Sequence, residues 1–333
     1  MCKDIRIGVV GLGYWGPNFV RILYTRDDCD FRAACDLNEE RVKYVRSLYP
    51  DLNYYTDLEE MVKKEKLNAL IIATPTDSHY PIAKFALENG IDVLVEKPLA
   101  KNSKEARDLI EVAKHNNRIL MVGHTFIYNP AVRAVKALIE KGELGRIYYI
   151  SSIRINLGIY RKDVDVLWDL ASHDFSIFLY WLGKTPVKVS ALAKDFKIKD
   201  KLDVAFIQAV FPDDIIANIH VSWLAPNKVR YLIIVGEKKM IIYDEIDPRE
   251  KVRIVNAGVD VREPESFGEF QLTYRTGDMY VPRLENVEPL KLEVSDFLNS
   301  IKYRKKPLSD GEMGLKVVEI LERVQKSILG VHL

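Results

Sequence analysis

Three groups of residues in this 333-residue chain have types and spacings that could do chemistry. The first is a lysine at the end of an apolar run, Asp92-Val93-Leu94-Val95-Glu96-Lys97-Pro98. A run this short, closed by proline, reads as a strand of a parallel sheet. Ligands of open α/β sheets bind beyond the carboxyl ends of the strands, where Lys97 would stand. A lysine partly withdrawn from water there can have its pKa lowered into the range of proton transfer, although a lone strand-end lysine is more often simply solvated.

The second group is Gly11-Leu12-Gly13-Tyr14-Trp15-Gly16, which fits G-x-G-x-x-G. That pattern alone means little. Here it follows an apolar strand, opens a helix, and has Asp36 at the end of the next strand, 20 residues past Gly16. This is the context that dinucleotide binding requires. Gly11 makes the tight turn, Gly13 lets a pyrophosphate approach the backbone, and Gly16 lets helix and strand pack closely. The helix N-terminus offers free N–H groups and the positive end of a dipole to the phosphates. Asp36 would accept hydrogen bonds from the adenosine ribose and repel a 2′-phosphate, and Leu37 brings no cation to offset that repulsion. NAD is therefore expected over NADP. Tyr14 and Trp15 are expected to pack around the turn, with cofactor contact secondary.

The third group is Trp168-Asp169-Leu170-Ala171-Ser172-His173-Asp174. Asp169 and His173 are four apart, so on an α-helix they share a face and the carboxylate can orient the imidazole. Such a pair can take a proton from an alcohol while hydride leaves the same carbon. A helix-start carboxylate beside a surface histidine has the same spacing. No third ligand is suggested nearby, so no metal is expected. Lesser candidates surround these groups. Thr74, Pro75 and His79 follow a parallel strand and are candidate cofactor contacts, placed to border a nicotinamide. Asp77 is equally suited to capping the next helix. His124 falls at the expected domain junction, where clefts form. Arg154 and Asn156 lie on the strand leading toward Asp169 and are candidate substrate contacts.

The elements that must carry these residues change in texture along the chain. In the first third, short apolar strands (5–10, 31–35, 69–73, 92–95, 119–122) alternate with amphipathic helical patterns (18–25, 39–48, 58–65, 81–88, 104–115). That alternation implies a Rossmann-type doubly wound parallel sheet covered on both faces. Asp57 with Glu60 makes a capping box, and Gly90 is placed to end a helix. After Gly123 come helices at 130–141 and 167–182 and strands at 147–156, 187–196, 203–211, 215–224, 229–235 and 240–243, then a final helix at 314–329. The fold class is thus α/β, with a nucleotide-binding domain (1–122) and an α+β domain (123–333) built on an open, mostly antiparallel sheet. Asn218, His220 and Ser222 alternate with Ile219, Val221 and Trp223, so one sheet face is partly polar, to be solvated or packed against a copy of itself.

Bulk properties exclude other classes. The formal net charge is +1, from 49 basic and 48 acidic residues, so nothing draws the chain to nucleic acid or acidic membranes. Cys2, Cys29 and Cys35 lack metal-ligand spacing and suit a reducing compartment. No apolar stretch reaches the roughly 18 residues of a membrane span, and no signal peptide is visible, so a cytoplasmic protein is expected.

Together these pieces resemble the glucose–fructose oxidoreductase / inositol dehydrogenase / rhizopine-catabolism (Gfo/Idh/MocA) family. The matching elements are Gly11–Gly16, Asp36, Thr74-Pro75, Glu96-Lys97-Pro98, Val122-Gly123-His124 and Asp169-x-x-x-His173, in family order, with the segment from Glu288 to Ser327 resembling the family's closing region. The resemblance implies an NAD-dependent dehydrogenase for a secondary hydroxyl of a sugar or cyclitol. Lys97 would contact that hydroxyl and relay its proton, His173 would be the general base, and Asp169 would orient it. Glu96 would lie near the cofactor, and the Lys97–Pro98 bond would be cis. It further implies a homodimer or homotetramer joined through the C-terminal sheet. Tyr274-Arg275-Thr276-Gly277-Asp278-Met279, Trp15-Gly16-Pro17-Asn18 and Val166-Leu167-Trp168-Asp169 resemble members acting on nucleotide-linked sugars, for which C3 oxidation is the leading expectation. A glycoside hydrolase using NAD for transient oxidation and elimination, and a redox sensor on the same scaffold, are the alternatives.

Overall fold

The structure is a computed structural model that describes residues 4–158, 160, 163–261 and 272–329. The chain forms two compact units. One comprises the chain through Tyr128 with Glu288–Glu319, the other Asn129–Val287 with the segment from Ile320.

In the first unit the strands are β1 (Arg6–Val10), β2 (Asp30–Cys35), β3 (Asn53–Tyr55), β4 (Ala69–Ile72), β5 (Asp92–Glu96) and β6 (Leu120–Gly123). They form one parallel sheet in the order β3-β2-β1-β4-β5-β6. The helices between them are α1 (Gly16–Tyr24), α2 (Glu39–Leu48), α3 (Leu58–Glu65), α4 (His79–Glu88) and α5 (Ser103–His115). Strand β4 and the apolar centre of β5 are wholly buried, as a sheet covered on both faces demands. Side chains cap three of these helices. Asn38 accepts from Glu40 N, Asp57 from Glu60 N and Asn102 from Glu105 N, each at 2.7–2.9 Å. Glu60 turns to Lys64 instead of closing the expected capping box. Gly90, at φ +74°, follows the end of α4 as expected. Strand order reverses between β1 and β4, so the crevice at this switch point opens above their carboxyl ends.

The second unit begins with α6 (Pro130–Glu140) and β7 (Ile147–Leu157), followed by a π-helical turn (Leu167–Ala171) and α7 (Ser172–Leu182). Then come β8 (Lys188–Lys194), β9 (Val204–Val210), β10 (Ile216–Ser222), β11 (Leu224–Gly236), β12 (Met240–Asp244), β13 (Val252–Val255), β14 (Gly258–Val261), β15 (Leu272–Arg275) and β16 (Met279–Tyr280). The eight-stranded sheet has the order β16-β13-β12-β11-β7-β10-β9-β8 and is antiparallel except for β10 beside β7. Strands β14 and β15 form a separate pair. On β10, Ile219 and Val221 point into the core while Asn218 is exposed. Ser222 is an exception to the expected polar face, being buried, as is Trp223.

Two helices close the chain, α8 (Pro289–Tyr303) and α9 (Gly311–Leu329). The sequence reading places everything after residue 122 in one domain, but α8 and the first part of α9 belong to the first unit. Val294, Phe297 and Leu298 of α8 are buried there. Val122 N donates to Ser309 O, Ser309 Oγ donates to Val122 O, and Arg304 pairs with Asp92 at 2.9 Å. Amphipathic periodicity says that a helix needs an apolar partner, not which sheet supplies it. No helix among the described residues is long and apolar enough to cross a membrane.

Candidate active site

The glycine loop of the first unit is shaped by what its neighbours leave free. Gly11 adopts φ +92°, and a Cβ there would lie 2.6 Å from the backbone of Ala73 at the end of β4. A Cβ on Gly16 would come within 1.9 Å of Gly11 O. Both glycines are thus demanded by packing. Gly13 differs, because a Cβ on it would meet only the Arg41 guanidinium, at 3.6 Å. Its backbone is open to a ligand, directly before the N-terminus of α1. Tyr14 and Trp15 are exposed on this loop, ring against ring edge at 6.1 Å, and do not pack into the turn.

Asp36 at the end of β2 is buried and ties the loop down. Its Oδ2 accepts from Leu12 N at 2.6 Å and its Oδ1 from Asn38 N at 2.8 Å. A carboxylate has about four acceptor sites, so capacity remains for ribose hydroxyls. Arg41 Nη1 lies 3.5 Å from Asp36 Oδ2, a cation supplied from the first turn of α2. Considering Leu37 alone misses it, because Arg41 reaches Asp36 only once α2 has turned back. A dinucleotide fits these residues. The phosphates would meet the Gly13 backbone and the α1 terminus, and the ribose would meet Asp36.

Beyond β4 and β5, the turns are joined by His79. Its buried ring lies between two backbone carbonyls, with Nδ1 2.8 Å from Pro98 O and Nε2 2.9 Å from Thr74 O. The ring thus holds those two turns together. Thr74 Oγ1 accepts from Ser78 Oγ at 2.8 Å, and Pro75 is exposed. Lys97 directly follows β5, is buried, and the Lys97–Pro98 bond is cis. Its backbone N–H donates to Glu96 Oε2 at 3.2 Å.

His124, just past β6, is buried with neither ring nitrogen hydrogen-bonded among the described residues. Burial, followed by the charge of Lys97, lowers its pKa to about 3, so the ring is neutral. A residue absent from the sequence reading joins this group. Glu293 of α8 is wholly buried, and its carboxyl is held well above the usual range, first by burial and then by the charge of Glu96. The only sequence signal was a charged residue on the apolar face of a helix.

In the second unit, Asp169 and His173 straddle the junction of the π turn and α7. Their spacing is therefore not the plain α-helical one expected, and π turns recur at functional sites. Asp169 Oδ2 accepts from the indole Nε1 of buried Trp223 at 3.2 Å. Trp223 in turn packs against Tyr160, with ring centroids 5.2 Å apart. Both Asp169 and His173 are half-buried.

Arg154 and Asn156 lie on β7, and most of their polar atoms meet other side chains or backbone, with Arg154 Nη2 the buried exception among the described residues. Arg154 is 1% exposed and pairs through Nε with fully buried Asp174 and through Nη1 with Glu245, each at 3.1 Å. Burial would lower its pKa, yet Asp174 and Glu245 outweigh that and raise it. Ser152 Oγ also donates to Asp174, at 2.7 Å. Asn156 Oδ1 accepts from Arg230, and its amide donates to Leu157 O. Arg154 is thus held as a buried strut between Asp174 and Glu245. Among the described residues, no group of three or more His, Cys, Asp or Glu side chains is arranged to hold a metal ion.

Comparison with known proteins bears on the family and the fold. Residues 5–124 match the family described as "Oxidoreductase family, NAD-binding Rossmann fold", and residues 132–242 match the "GFO/IDH/MocA C-terminal domain". The chain is 25% identical over 325 residues to UDP-N-acetylglucosamine 3-dehydrogenase of Acidithiobacillus ferrooxidans, covering 97% of each. A solved structure of that enzyme superposes with a TM-score of 0.83 at 23% identity, covering 98% of both chains, which bears on the fold alone. An inositol 2-dehydrogenase of Corynebacterium glutamicum is 26% identical over 194 residues, 57% of each chain.

Proposed function

The chain belongs to the Gfo/Idh/MocA oxidoreductase family, and on that footing we propose that it oxidises a secondary hydroxyl of a sugar or cyclitol with NAD. A nucleotide-linked amino sugar oxidised at C3 is the substrate class favoured. The observation that carries the reading is that the open Gly13 backbone follows β1 and Lys97 follows β5 of the same parallel sheet. The length-wide relationship to a UDP-N-acetylglucosamine 3-dehydrogenase supports the choice of sugar. The inositol 2-dehydrogenase, over a shorter span, supports the wider class.

When bound, NAD supplies the hydride acceptor. The chain's residues supply the rest. The N–H groups at the start of α1 bind the phosphates, and Asp36, with Arg41 beside it, accepts from the ribose. Lys97 is assigned to align the alcohol oxygen and relay its proton. His173 is assigned as the general base, with Asp169 orienting its ring and Trp223 holding Asp169 in place. His79 keeps the Thr74 and Pro98 turns in register.

A screen of sugars, cyclitols and nucleotide sugars, followed by NADH absorbance, identifies the substrate. With it in hand, Lys97→Ala should bind NAD normally while turnover falls by about 10²- to 10⁴-fold, the usual worth of a proton-transfer group. Unchanged turnover would overturn the assignment.

A second copy of the chain is the proposed partner for the outer face of the eight-stranded sheet. Exposed Tyr149, Leu192, Phe206 and Ile216 lie there on adjacent strands, and the Phe206 ring stacks on His220. Light scattering should report a dimer or tetramer that Phe206→Asp dissociates. A monomeric parent protein refutes this.

A further inference from the structure

The first unit holds buried carboxyl groups that the proposed chemistry leaves unused. Glu96 ends β5, and Glu293 lies on the first turns of α8. The two run together because α8 returns along the sheet: its end meets Asp92 at the start of β5 through Arg304, and its beginning meets the end of β5. A Cβ on Gly123 would lie 3.2 Å from the Glu96 carboxyl carbon and 3.3 Å from Glu293 Oε1. Both carboxyl groups therefore converge on the one residue of β6 that has no side chain. Glu96 is 6% exposed and Glu293 0%.

Charged and titratable groups border the pair on several elements. Lys97 follows Glu96 directly, and neutral His124 follows Gly123. On α8 itself, Asp296 accepts from the Tyr128 hydroxyl at 2.7 Å and adds its negative charge to that of Glu96. The Thr125 side chain is the group that favours ionised Glu293. Two buried carboxyl groups that border the same residue in a medium of low polarity do not both ionise readily, and their protons belong to the pair. Removing one negative charge, or adding a positive one nearby, shifts that balance.

We propose that Glu96 and Glu293 form a dyad holding a single proton, and that its occupancy is linked to the charge of the bound nicotinamide. This deepens the reading above and rests on it, since it needs the ring beyond the ends of β4 and β5. With the oxidised, positively charged ring present, the dyad releases its proton to solvent and carries both negative charges. With the reduced, neutral ring, the dyad keeps one proton. Across turnover the dyad takes back one proton from solvent as the ring loses its charge, separately from the proton that leaves the alcohol. Charge balances in each state, and no further reactant is required. The pair thus acts as a positioning element that favours the oxidised cofactor.

The test is calorimetric titration of NAD⁺ and of NADH into the full-length protein, repeated in buffers of different ionisation enthalpy across roughly pH 5 to 9. The buffer dependence of the heat counts protons released. The parent should release more protons with NAD⁺ than with NADH, the difference passing through a maximum of about half a proton or more. In Glu293→Gln that difference should vanish while both cofactors still bind. Glu96→Gln tests the dyad from its other member, should the first variant fold poorly. Equal proton counts for the two cofactors in the parent, or a difference that persists in the Gln variants, overturn the dyad while leaving the cofactor reading intact. No binding of either cofactor overturns the cofactor reading and the dyad with it.

Discussion

Replacing Gly13 by alanine should separate cofactor binding from folding. Its backbone lies outside the left-handed region, and a Cβ would meet only the flexible Arg41 tip, at 3.6 Å and 3.9 Å. The expected stability change is within about 0.5 kcal/mol, or about 1–2 °C in Tm for a domain of this size. The same methyl would stand on the face through which a pyrophosphate must approach. Holding the phosphates off would forfeit at least one charge-assisted hydrogen bond, worth about 1.5–3 kcal/mol. NAD should therefore bind about 10- to 150-fold more weakly. Gly16→Ala makes the contrast, because its Cβ would sit 1.9 Å from a backbone oxygen that can move only with the whole turn. It should lose stability and binding together. Thermal melts and calorimetric NAD titrations of both variants decide the matter. A Gly13→Ala protein that binds NAD like the parent refutes the argument, as does one that melts early.

Two other perturbations probe what lies beneath the site. Above about pH 4.3 the unfolded chain gives up the Glu293 proton while the folded unit keeps it, so the folded state binds more protons and stability falls as pH rises. Glu293→Gln removes that slope, so urea midpoints of the two proteins should coincide near pH 4 and diverge toward neutrality in the variant's favour. Parallel pH curves would refute the raised carboxyl. Arg154→Met keeps the stem but strands Asp174 and Glu245, at a cost of about 3–5 kcal/mol seen in urea unfolding. Parental stability with a raised KM would return Arg154 to substrate contact.

Much of the nucleotide-binding unit was legible in the sequence because its signals are local. Gly11 needs its turn, the strand from Asp92 needs two covered faces, and Gly13 needs an open approach. Each follows from residues a few positions apart. The short edge strand β3 was missed, since three residues carry too little periodicity. Asp169 and His173 were found as a pair, but not the π turn between them, because backbone pitch responds to packing rather than to spacing.

What tertiary structure alone decided are the partnerships between distant segments. Arg41 reaches Asp36 through the return of α2. Trp223 donates to Asp169 across 54 positions. Arg154 looked like a ligand contact until Asp174 and Glu245 closed on it. Most of all, α8 leaves the later part of the chain to bury Glu293 against Glu96. Periodicity could declare that helix amphipathic, but burial is a property of the whole packed chain. Lys97 was therefore visible as a candidate from its strand, while the charges that surround it became known only from the fold.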